Sequence, residues 1–274
     1  MVVQSASILS LVPELAEVEY YRSVWNPGLG EKIIRVHMNR EKRVFRGTPV
    51  ELIDKLVGER LDSSESSGKQ MVFRFSHGFW LGIHLGMTGE LLVAPPDHTL
   101  EKHDHLVLFQ KKRALVFNDP RQFGRVLIHH GKEAPEWWSS IGVAVTSDEF
   151  ALEKMSAFLD RRARLAIKAA LLVQKGFPGV GNWMADEILW RAGIAPARAC
   201  STLKPQERKA LWREVRFVSR EALKKIGKDF GDPPPNWFFH ERWKRAGLCP
   251  KHKTSLRRDT IGGRTTAWCP KCQR

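Results

Sequence analysis

The sequence predicts an α+β fold in which a strand-rich first half precedes a helical second half and a small C-terminal ribbon. Between Lys32 and about His130, short apolar or alternating runs are separated by turn residues, which is typical of an antiparallel sandwich or barrel. After Trp138, apolar residues recur every three or four positions, which predicts helices. Two Cys/His pairs, each with two intervening residues, close the chain and indicate the ribbon.

The charge balance indicates a polyanionic partner such as nucleic acid. The 274 residues include 45 Lys and Arg against 30 Asp and Glu, a net charge of +15. No run of 18 apolar residues predicts a membrane span, and the N terminus lacks the basic start of a signal peptide. Three of the four cysteines crowd at the C terminus, which favours a metal site in a reducing compartment over disulfides.

The stretch Pro13–Glu19, PELAEVE, predicts the start of a helix. Proline suits the first helical position, and acids in the first turn favour the positive end of the helix dipole. Glu14 and Glu17, three residues apart, are expected on one face. An ordinary amphipathic helix would show the same pattern.

Strands are predicted over the apolar runs of the first half, and a helix over Thr48–Val57, capped by Thr48 with Pro49 at its first position. Three loop features stand out: Lys69 before a strand, Met87 between two glycines, and Arg121 and Phe123 two residues apart. Met87 and Phe123 could be core residues, but together with Arg121 they are the types that fill a gap in stacked bases. The predicted strands are Ile33–Met38, Met71–Phe75, Phe79–Leu85, Leu106–Phe109 and Ala114–Phe117.

The second half is predicted to hold four helices and a glycine-rich turn at residues 176–182. A turn that leads through Asn182 into a helix leaves backbone N–H groups for a phosphate, although a plain tight turn would look alike. The predicted helices are Ser147–Leu159, Leu165–Gln174, Trp183–Ala192 with Gly193 as its stop, and Pro205–Ile226.

The two C-terminal knuckles predict one zinc ion. Cys249 and His252, then Cys269 and Cys272, match zinc-ribbon spacing, and four protein ligands leave no open position, so the metal would be structural. Cys200 has no partner in this pattern and is predicted to be a buried thiol. Between the knuckles, a small hairpin would carry arginines, Arg264 among them, toward a nucleic acid.

Taken together, the chain resembles the formamidopyrimidine-DNA glycosylase / endonuclease VIII family, and its formamidopyrimidine branch in particular. The resemblance runs from Pro13 to the end of the chain. It rests on PELAEVE (13–19), HLGMTG (84–89), EKHDH (101–105), DPRQFG (119–124), GVGNWMADE (179–187), GGRTTAWC (262–269) and the terminal ribbon.

The resemblance implies a bifunctional base-excision-repair glycosylase and AP lyase that acts on damaged or abasic double-stranded DNA. It implies a monomer in the bacterial cytoplasm, associated with the nucleoid. The expected domains are an extension at 1–12, a catalytic β-sandwich at 13–135, a helix–two-turn–helix domain at 136–245 and a zinc ribbon at 246–274.

The family's roles transfer to matching residues of this chain. Pro13 would be the Schiff-base nucleophile, Glu14 the proton-transfer group and Glu17 its support. Met87, Arg121 and Phe123 would fill the gap left by an everted nucleotide. Lys69, His84, Asn182 and Arg264 would clamp phosphates, with Lys69 also in the catalytic set and His103 a further DNA contact.

The chain departs from the family pattern first at Pro13. Twelve residues precede it, and the nitrogen of an internal proline is a tertiary amide that cannot form a Schiff base. Either translation starts at a GTG codon at Val12 and trimming exposes Pro13, or the extension is real. In the second case the chain would be a catalytically silent or lyase-deficient binder of damaged DNA. A zinc-ribbon transcription or RNA-binding factor would fit the charge but leaves Glu14 and Glu17 unexplained.

Three further departures affect the metal, the DNA and the substrate. His252 stands where the family usually has cysteine, and Gln122 where a basic residue is usual, which predicts a shallower salt dependence. The segment Gly227–Arg245 is short and carries Pro233–Pro235 with several aromatic residues. It is expected to stack aromatics on bases and not to cover 8-oxoguanine as the family's lid does, so ring-opened purines or oxidised pyrimidines are the expected preference.

Overall fold

A computed structural model describes residues 12–274, so the predicted extension lies outside the described residues except for Val12. The described chain divides into two compact units. The first comprises Val12, Pro13 and Glu17–Ser140; the second comprises Glu14–Ala16 and Ile141–Arg274.

Two antiparallel four-stranded sheets build the first unit, in the orders β1-β6-β7-β5 and β2-β3-β4-β8. Buried side chains from both sheets, such as Phe73, Leu81, Leu106 and Phe117, share one hydrophobic core, which confirms the predicted sandwich. The strands are β1 Arg35–Met38, β2 Leu61–Ser67, β3 Gln70–Phe75, β4 Phe79–His84, β5 Glu90–Ala94, β6 Asp104–Phe109, β7 Ala114–Asn118 and β8 Arg125–His130, and the helices are α1 Leu15–Val24, α2 Glu51–Asp54 and α3 Glu136–Ser139.

Helices and one hairpin build the second unit. The helix Asn182–Ala192 is buried along most of its length. It ends at Gly193, the predicted stop, which has a left-handed φ of 71°. The helices are α4 Leu152–Asp160, α5 Ile167–Leu171, α6 Asn182–Ala192, α7 Pro205–Asp229 and α8 Phe239–Arg242, and the hairpin strands are β9 Arg257–Ile261 and β10 Arg264–Trp268.

Several predicted helices are shorter than their apolar patterns. The helix predicted over Thr48–Val57 is only α2, and the Thr48 hydroxyl donates to the carbonyl of Val126 (2.6 Å) and does not cap it. The helix predicted over Leu165–Gln174 ends at Leu171. There the Gln174 side chain donates to the carbonyl of Val180 (2.9 Å) and closes a turn.

Two helix starts also differ from the prediction. The structure begins α1 at Leu15, after Pro13, and begins α4 at Leu152, after a turn that starts at Ser147. None of the helices in residues 12–274 combines the length and the apolar character that a membrane span requires.

Candidate functional site

The carboxylate of Glu14 occupies the N-terminus of α6. Its Oε2 accepts hydrogen bonds from the backbone N–H groups of Gly181 (3.0 Å) and Met184 (3.1 Å), and its Oε1 accepts one from Trp183 (2.9 Å). Glu14 is only 2% exposed. A negative charge is favoured at this end of a helix, so these donors hold the carboxylate in one place. The prediction that these three N–H groups bind a phosphate is therefore wrong, because they donate to Glu14.

The glycine-rich turn makes room for this carboxylate. A Cβ atom on Gly181 would lie 2.2 Å from Cδ and 2.4 Å from Oε1 of Glu14. The backbone N–H of Leu15 donates to the carbonyl of Gly179 (3.0 Å), so the chain around Glu14 is tied to the same turn. The position of Glu14 thus depends on the absence of a side chain at residue 181.

The other acidic residue of the first stretch, Glu17, lies in the first unit and is 2% exposed. One turn later, burial raises the pKa of the Tyr21 hydroxyl, and the charges of Glu90 and Glu17 act in the same direction. Pro13 is buried, and its nitrogen forms the peptide bond with Val12 in this chain.

In the first unit, two loops that carry predicted site residues pack directly on each other. Gly86, with a φ of +66°, lies so close to the second loop that a Cβ would be 2.4 Å from the carbonyl carbon of Phe123. Contact this close requires glycine. The loops that carry Met87 and Phe123 are thereby brought together.

Asp119 organises both loops, although it was not among the predicted site residues. Its Oδ1 accepts hydrogen bonds from the Thr88 hydroxyl (2.8 Å) and the Arg121 N–H (3.3 Å), and its Oδ2 accepts one from the Gly124 N–H (2.7 Å). The residue is fully buried. The sequence did carry a signal for this role, since Asp119 begins a turn that ends at Gly124, and aspartate side chains often accept hydrogen bonds from the backbone of a turn.

The tips of the two loops remain accessible. Phe123 is 37% exposed, and the Arg121 guanidinium carbon lies 4.8 Å from its ring centroid. Met87 is partly exposed. His103, in the turn before β6, is also partly exposed, and its carbonyl accepts the Asp119 N–H (3.1 Å).

Lys69 and His84 form a second basic group in this unit. Burial, with smaller contributions from the charges of Lys69 and Arg46, lowers the pKa of His84 to about 4. The Gly86 N–H donates to Nδ1 of His84 (3.0 Å), which leaves the proton of the neutral ring on Nε2. His84 can therefore donate one hydrogen bond without carrying charge.

The lowered pKa predicts a pH dependence of stability. The unfolded chain binds a proton near pH 6.5, whereas folded His84 does so only near pH 4. The contribution of neutral His84 to the free energy of unfolding is therefore complete above pH 6.5. It is lost as the pH falls toward 4, and the loss is at most about 3 kcal/mol. Urea unfolding at pH 7.5 and 4.5 should show a smaller loss for His84→Gln than for the unaltered chain. Equal losses would contradict the assignment.

In the second unit, Asn182 contacts the hairpin that carries Arg264. The Asn182 side-chain amide donates to the carbonyl of Thr265 (3.1 Å), while its Oδ1 is buried without a hydrogen-bond partner among the described residues. Arg264 is exposed and follows Gly262 and Gly263, whose φ angles of 60° and 71° form a tight hairpin turn. Two residues predicted to contact phosphate are therefore neighbours.

A buried ion network joins four elements of this unit and was not anticipated. The carboxylate of Asp186 on α6 accepts hydrogen bonds from Lys168 on α5, from Arg242 on α8 (2.7 and 3.0 Å) and from the backbone N–H of Ala267 on β10 (3.3 Å). Burial lowers the pKa of Lys168, and the Asp186 charge opposes that shift. The Lys168 ammonium also reaches the carbonyl of Asn182 (3.4 Å).

The predicted metal ligands converge. The ligand atoms of Cys249, His252, Cys269 and Cys272 all lie within 4.8 Å of one another. The Cys249 sulfur is 3.6 Å from Nδ1 of His252 and 3.9 Å from the Cys272 sulfur. These separations match the edges of about 3.8 Å expected for a tetrahedron with bonds near 2.3 Å. The cluster can hold a metal ion. Cys200 is buried as predicted, and burial raises the pKa of its thiol.

The aromatic residues of the Gly227–Arg245 segment do not form a stacking surface, so that expectation is wrong for most of them. Trp237, Phe238 and Phe239 are at most 2% exposed. Phe239 packs edge-on against Trp183, with ring centroids 5.2 Å apart. Trp243 remains 44% exposed.

A buried acid fixes the end of this segment. Glu187 accepts hydrogen bonds from the backbone N–H of Phe239 (2.9 Å) and from Nε of Arg191 (2.8 Å). Burial raises the pKa of Glu187 to about 7, against the opposing effect of Arg191. The segment is therefore part of the helical core at this end.

Comparisons with known proteins agree with the fold. The formamidopyrimidine-DNA glycosylase N-terminal domain matches residues 12–126, and the formamidopyrimidine-DNA glycosylase H2TH domain matches residues 141–231. Formamidopyrimidine-DNA glycosylases of Laribacter hongkongensis and Roseiflexus sp. are 35% and 33% identical, over 96% of this chain and 100% of theirs.

Solved structures give the same result. The Lactococcus lactis Fpg in complex with DNA containing an oxidised pyrimidine has a TM-score of 0.87 at 27% identity, covering 96% of this chain and 100% of that one. The complex of the same enzyme with DNA containing an abasic site has a TM-score of 0.87 at 26% identity, covering 95% and 99%. The chain therefore belongs to the formamidopyrimidine-DNA glycosylase family of base-excision-repair enzymes.

Proposed function

We propose that this chain excises oxidised or ring-opened bases from double-stranded DNA and then cleaves the abasic site by β,δ-elimination. The observation that carries the proposal is the carboxylate of Glu14, which is fixed on α6 by three backbone N–H groups and directly follows Pro13. A nucleophilic nitrogen next to an immobilised acid is the pair that the reaction requires.

In the proposed reaction, the free imino nitrogen of Pro13 attacks C1′ of the damaged nucleotide. The bond from C1′ to the base breaks, and the sugar ring opens between C1′ and O4′. The proton lost by the Pro13 nitrogen and one proton delivered by Glu14 go to the departing base and to O4′. The resulting iminium acidifies the C2′ proton. Loss of that proton expels the 3′ phosphate, and a second elimination expels the 5′ phosphate. The first step requires Pro13 without its acyl bond to Val12.

The remaining residues are proposed to hold the DNA. Lys69, His84, Asn182 and Arg264 would bind phosphates, and neutral His84 would do so through its Nε2–H. Met87 and Phe123 would fill the gap left by the everted nucleotide, and Arg121 would contact the orphaned base. Glu17 would support Glu14, and His103 would add a DNA contact. Support comes from the packed loops that Asp119 joins.

We propose that the Cys/His cluster binds one structural zinc ion. Three thiolates and one imidazole suit zinc, and a closed set of four ligands leaves no position for a substrate. The indole N–H of Trp190 lies 3.3 Å from the Cys249 sulfur, so that ligand has a supporting hydrogen bond. The ion would hold the hairpin that presents Arg264.

Cys272→Ser is expected to lose the zinc ion and to bind an abasic-analogue duplex at least about tenfold more weakly, because Arg264 loses its fixed position. Elemental mass spectrometry and DNA titration would measure both effects. Cys200→Ala is the matched control and should keep one zinc per chain. Full zinc content in Cys272→Ser would contradict the assignment.

The lesion preference is also expected to differ from that of a typical 8-oxoguanine enzyme. Between α7 and α8, Trp237 and Phe238 are buried in the core, and the backbone N–H of Phe239 donates to Glu187, so this segment has little freedom to cover a purine. Single-turnover excision should be slower for 8-oxoguanine than for ring-opened purines or oxidised pyrimidines. A strong preference for 8-oxoguanine would contradict this expectation.

A second candidate function is binding of damaged DNA without lyase chemistry. The observation that favours it is the amide bond between Val12 and Pro13 in the chain as written. Such a protein would still prefer abasic-analogue DNA, but it would form no reducible covalent adduct.

A further inference from the structure

The side chain of Gln122 is committed to a contact within the protein. Gln122 has a left-handed φ of 54°, and its backbone N–H donates to the carbonyl of Asp119 (3.2 Å). Its side-chain Oε1 accepts the backbone N–H of Arg43 (3.3 Å). Gln122 thus contributes no charge to this loop and instead attaches a distant segment to it.

That segment is a short 3-10 helix, Arg43–Phe45, anchored from both sides. Val44 and Phe45 are 0% and 4% exposed and belong to the sandwich core. Arg46 donates from Nη1 to the carbonyls of Gly124 (3.0 Å) and Arg43 (3.1 Å). The segment therefore lies against the loop that carries Phe123.

Two guanidinium groups lie near the exposed ring of Phe123: that of Arg121 in the same loop and that of Arg43 in the attached segment. The guanidinium carbons of Arg121 and Arg43 lie 4.8 Å and 5.9 Å from the ring centroid. Contacts at this distance attract a cation to an aromatic ring. The ring is thereby restrained before DNA arrives, although it remains accessible.

The positive charges around the loop are not neutralised by the protein. Within residues 12–274, the guanidinium groups of Arg43, Arg46, Arg121 and Arg125 have no carboxylate oxygen within 4.0 Å, whereas that of Arg40 pairs with Asp54. Burial, followed by the charges of Arg125 and Arg43, lowers the pKa of Arg46, so like charges lie close together. Such a group favours a polyanion.

We propose that Arg43 is a further DNA-binding residue: its guanidinium contacts a backbone phosphate beside the Phe123 wedge and holds the wedge in place. It supplies the positive charge that Gln122 does not. Because its backbone is fixed by Gln122 and its neighbour Arg46 is tied to Gly124, little ordering is needed on binding. This inference rests on the proposed function, since it assumes that Phe123 enters damaged DNA.

The test compares Arg43→Ala, Arg43→Lys and the control Arg40→Ala in full-length protein. Each is titrated onto an abasic-analogue duplex between 50 and 200 mM salt (roughly the range over which affinity from phosphate contacts falls steeply with salt). Arg43→Ala is expected to weaken binding about tenfold and to reduce the slope of log K against log salt by about one. Arg43→Lys should keep the slope but lose part of the affinity, because it retains the charge without the planar guanidinium that binds phosphate through two N–H groups. Arg40→Ala should change neither.

A positive charge introduced at residue 122 tests whether the salt dependence lost in Arg43→Ala can be recovered. Adding Gln122→Arg to Arg43→Ala should recover the lost slope. An unchanged slope in Arg43→Ala, or an equal change in Arg40→Ala, would overturn the inference. If the unaltered protein does not prefer abasic-analogue over undamaged duplex, the proposed function fails instead, so the two failures are distinguishable.

Discussion

Glu14→Gln is expected to slow base excision by about a hundredfold or more, while cleavage of preformed abasic sites stays within about tenfold of the unaltered protein. Excision needs a proton at the departing base or sugar oxygen, and the amide cannot supply it. An abasic site already presents an aldehyde, so iminium formation there has no base to expel. The measurement is single-turnover cleavage of a lesion duplex and of an abasic duplex under the same conditions.

A second variant tests the position of Glu14 without changing its chemistry. In Gly181→Ala the new Cβ would fall 2.2 Å from the Glu14 carboxyl carbon, so the carboxylate must move. The backbone at Gly181 has a φ of −124°, which alanine adopts freely, so the fold should persist. We expect a loss of excision of about a hundredfold, the size typical of misplaced catalytic groups. Unimpaired excision in either variant would show that Glu14 is not the proton-transfer group.

Asp186→Asn is expected to destabilise the chain by about 3–5 kcal/mol, since it leaves two buried cations without their counter-charge. Lys168 and Arg242 both contact this carboxylate, and their side chains are 0% and 3% exposed. The network also joins the start of α6 to the hairpin that carries Arg264. DNA affinity should therefore fall together with stability. Urea unfolding and DNA titration would measure the two effects.

Asp148→Asn is the matched control for this prediction. Asp148 pairs with Arg216, but its side chain is fully exposed, so solvent screens the interaction. The control should therefore leave the free energy of unfolding nearly unchanged. Equal effects of the two substitutions would show that the buried network does not stabilise the second unit.

The fold class was accessible from sequence because the strands carry local signals. Period-two alternation and bounding turns mark runs such as Met71–Phe75, which lies within β3. Helix ends were less accessible, because apolar spacing continues through turns that side chains close. Gln174 terminates the helical pattern after Leu171 through a hydrogen bond to Val180, and that bond has no signature in local periodicity.

The candidate site was predictable where a motif carries its own chemistry and not where distant residues complete it. The metal ligands follow from spacing alone. The N–H groups of Gly181 and Trp183 were expected to be open to phosphate, because nothing local indicates that Glu14, more than 160 positions away, accepts them. Likewise, the aromatic run Trp237–Phe239 has polar neighbours in the sequence, but tertiary packing buries it.

The central claim, that the imino nitrogen of Pro13 is the nucleophile beside Glu14, is tested most directly by borohydride trapping. Two forms of the protein, one beginning at Pro13 and one retaining residues 1–12, would be incubated with abasic DNA and the reductant. We predict that only the form beginning at Pro13 yields a covalent adduct and that peptide mapping places it on Pro13. An adduct of equal yield with the extended form, or one mapped to Lys69, would contradict the account.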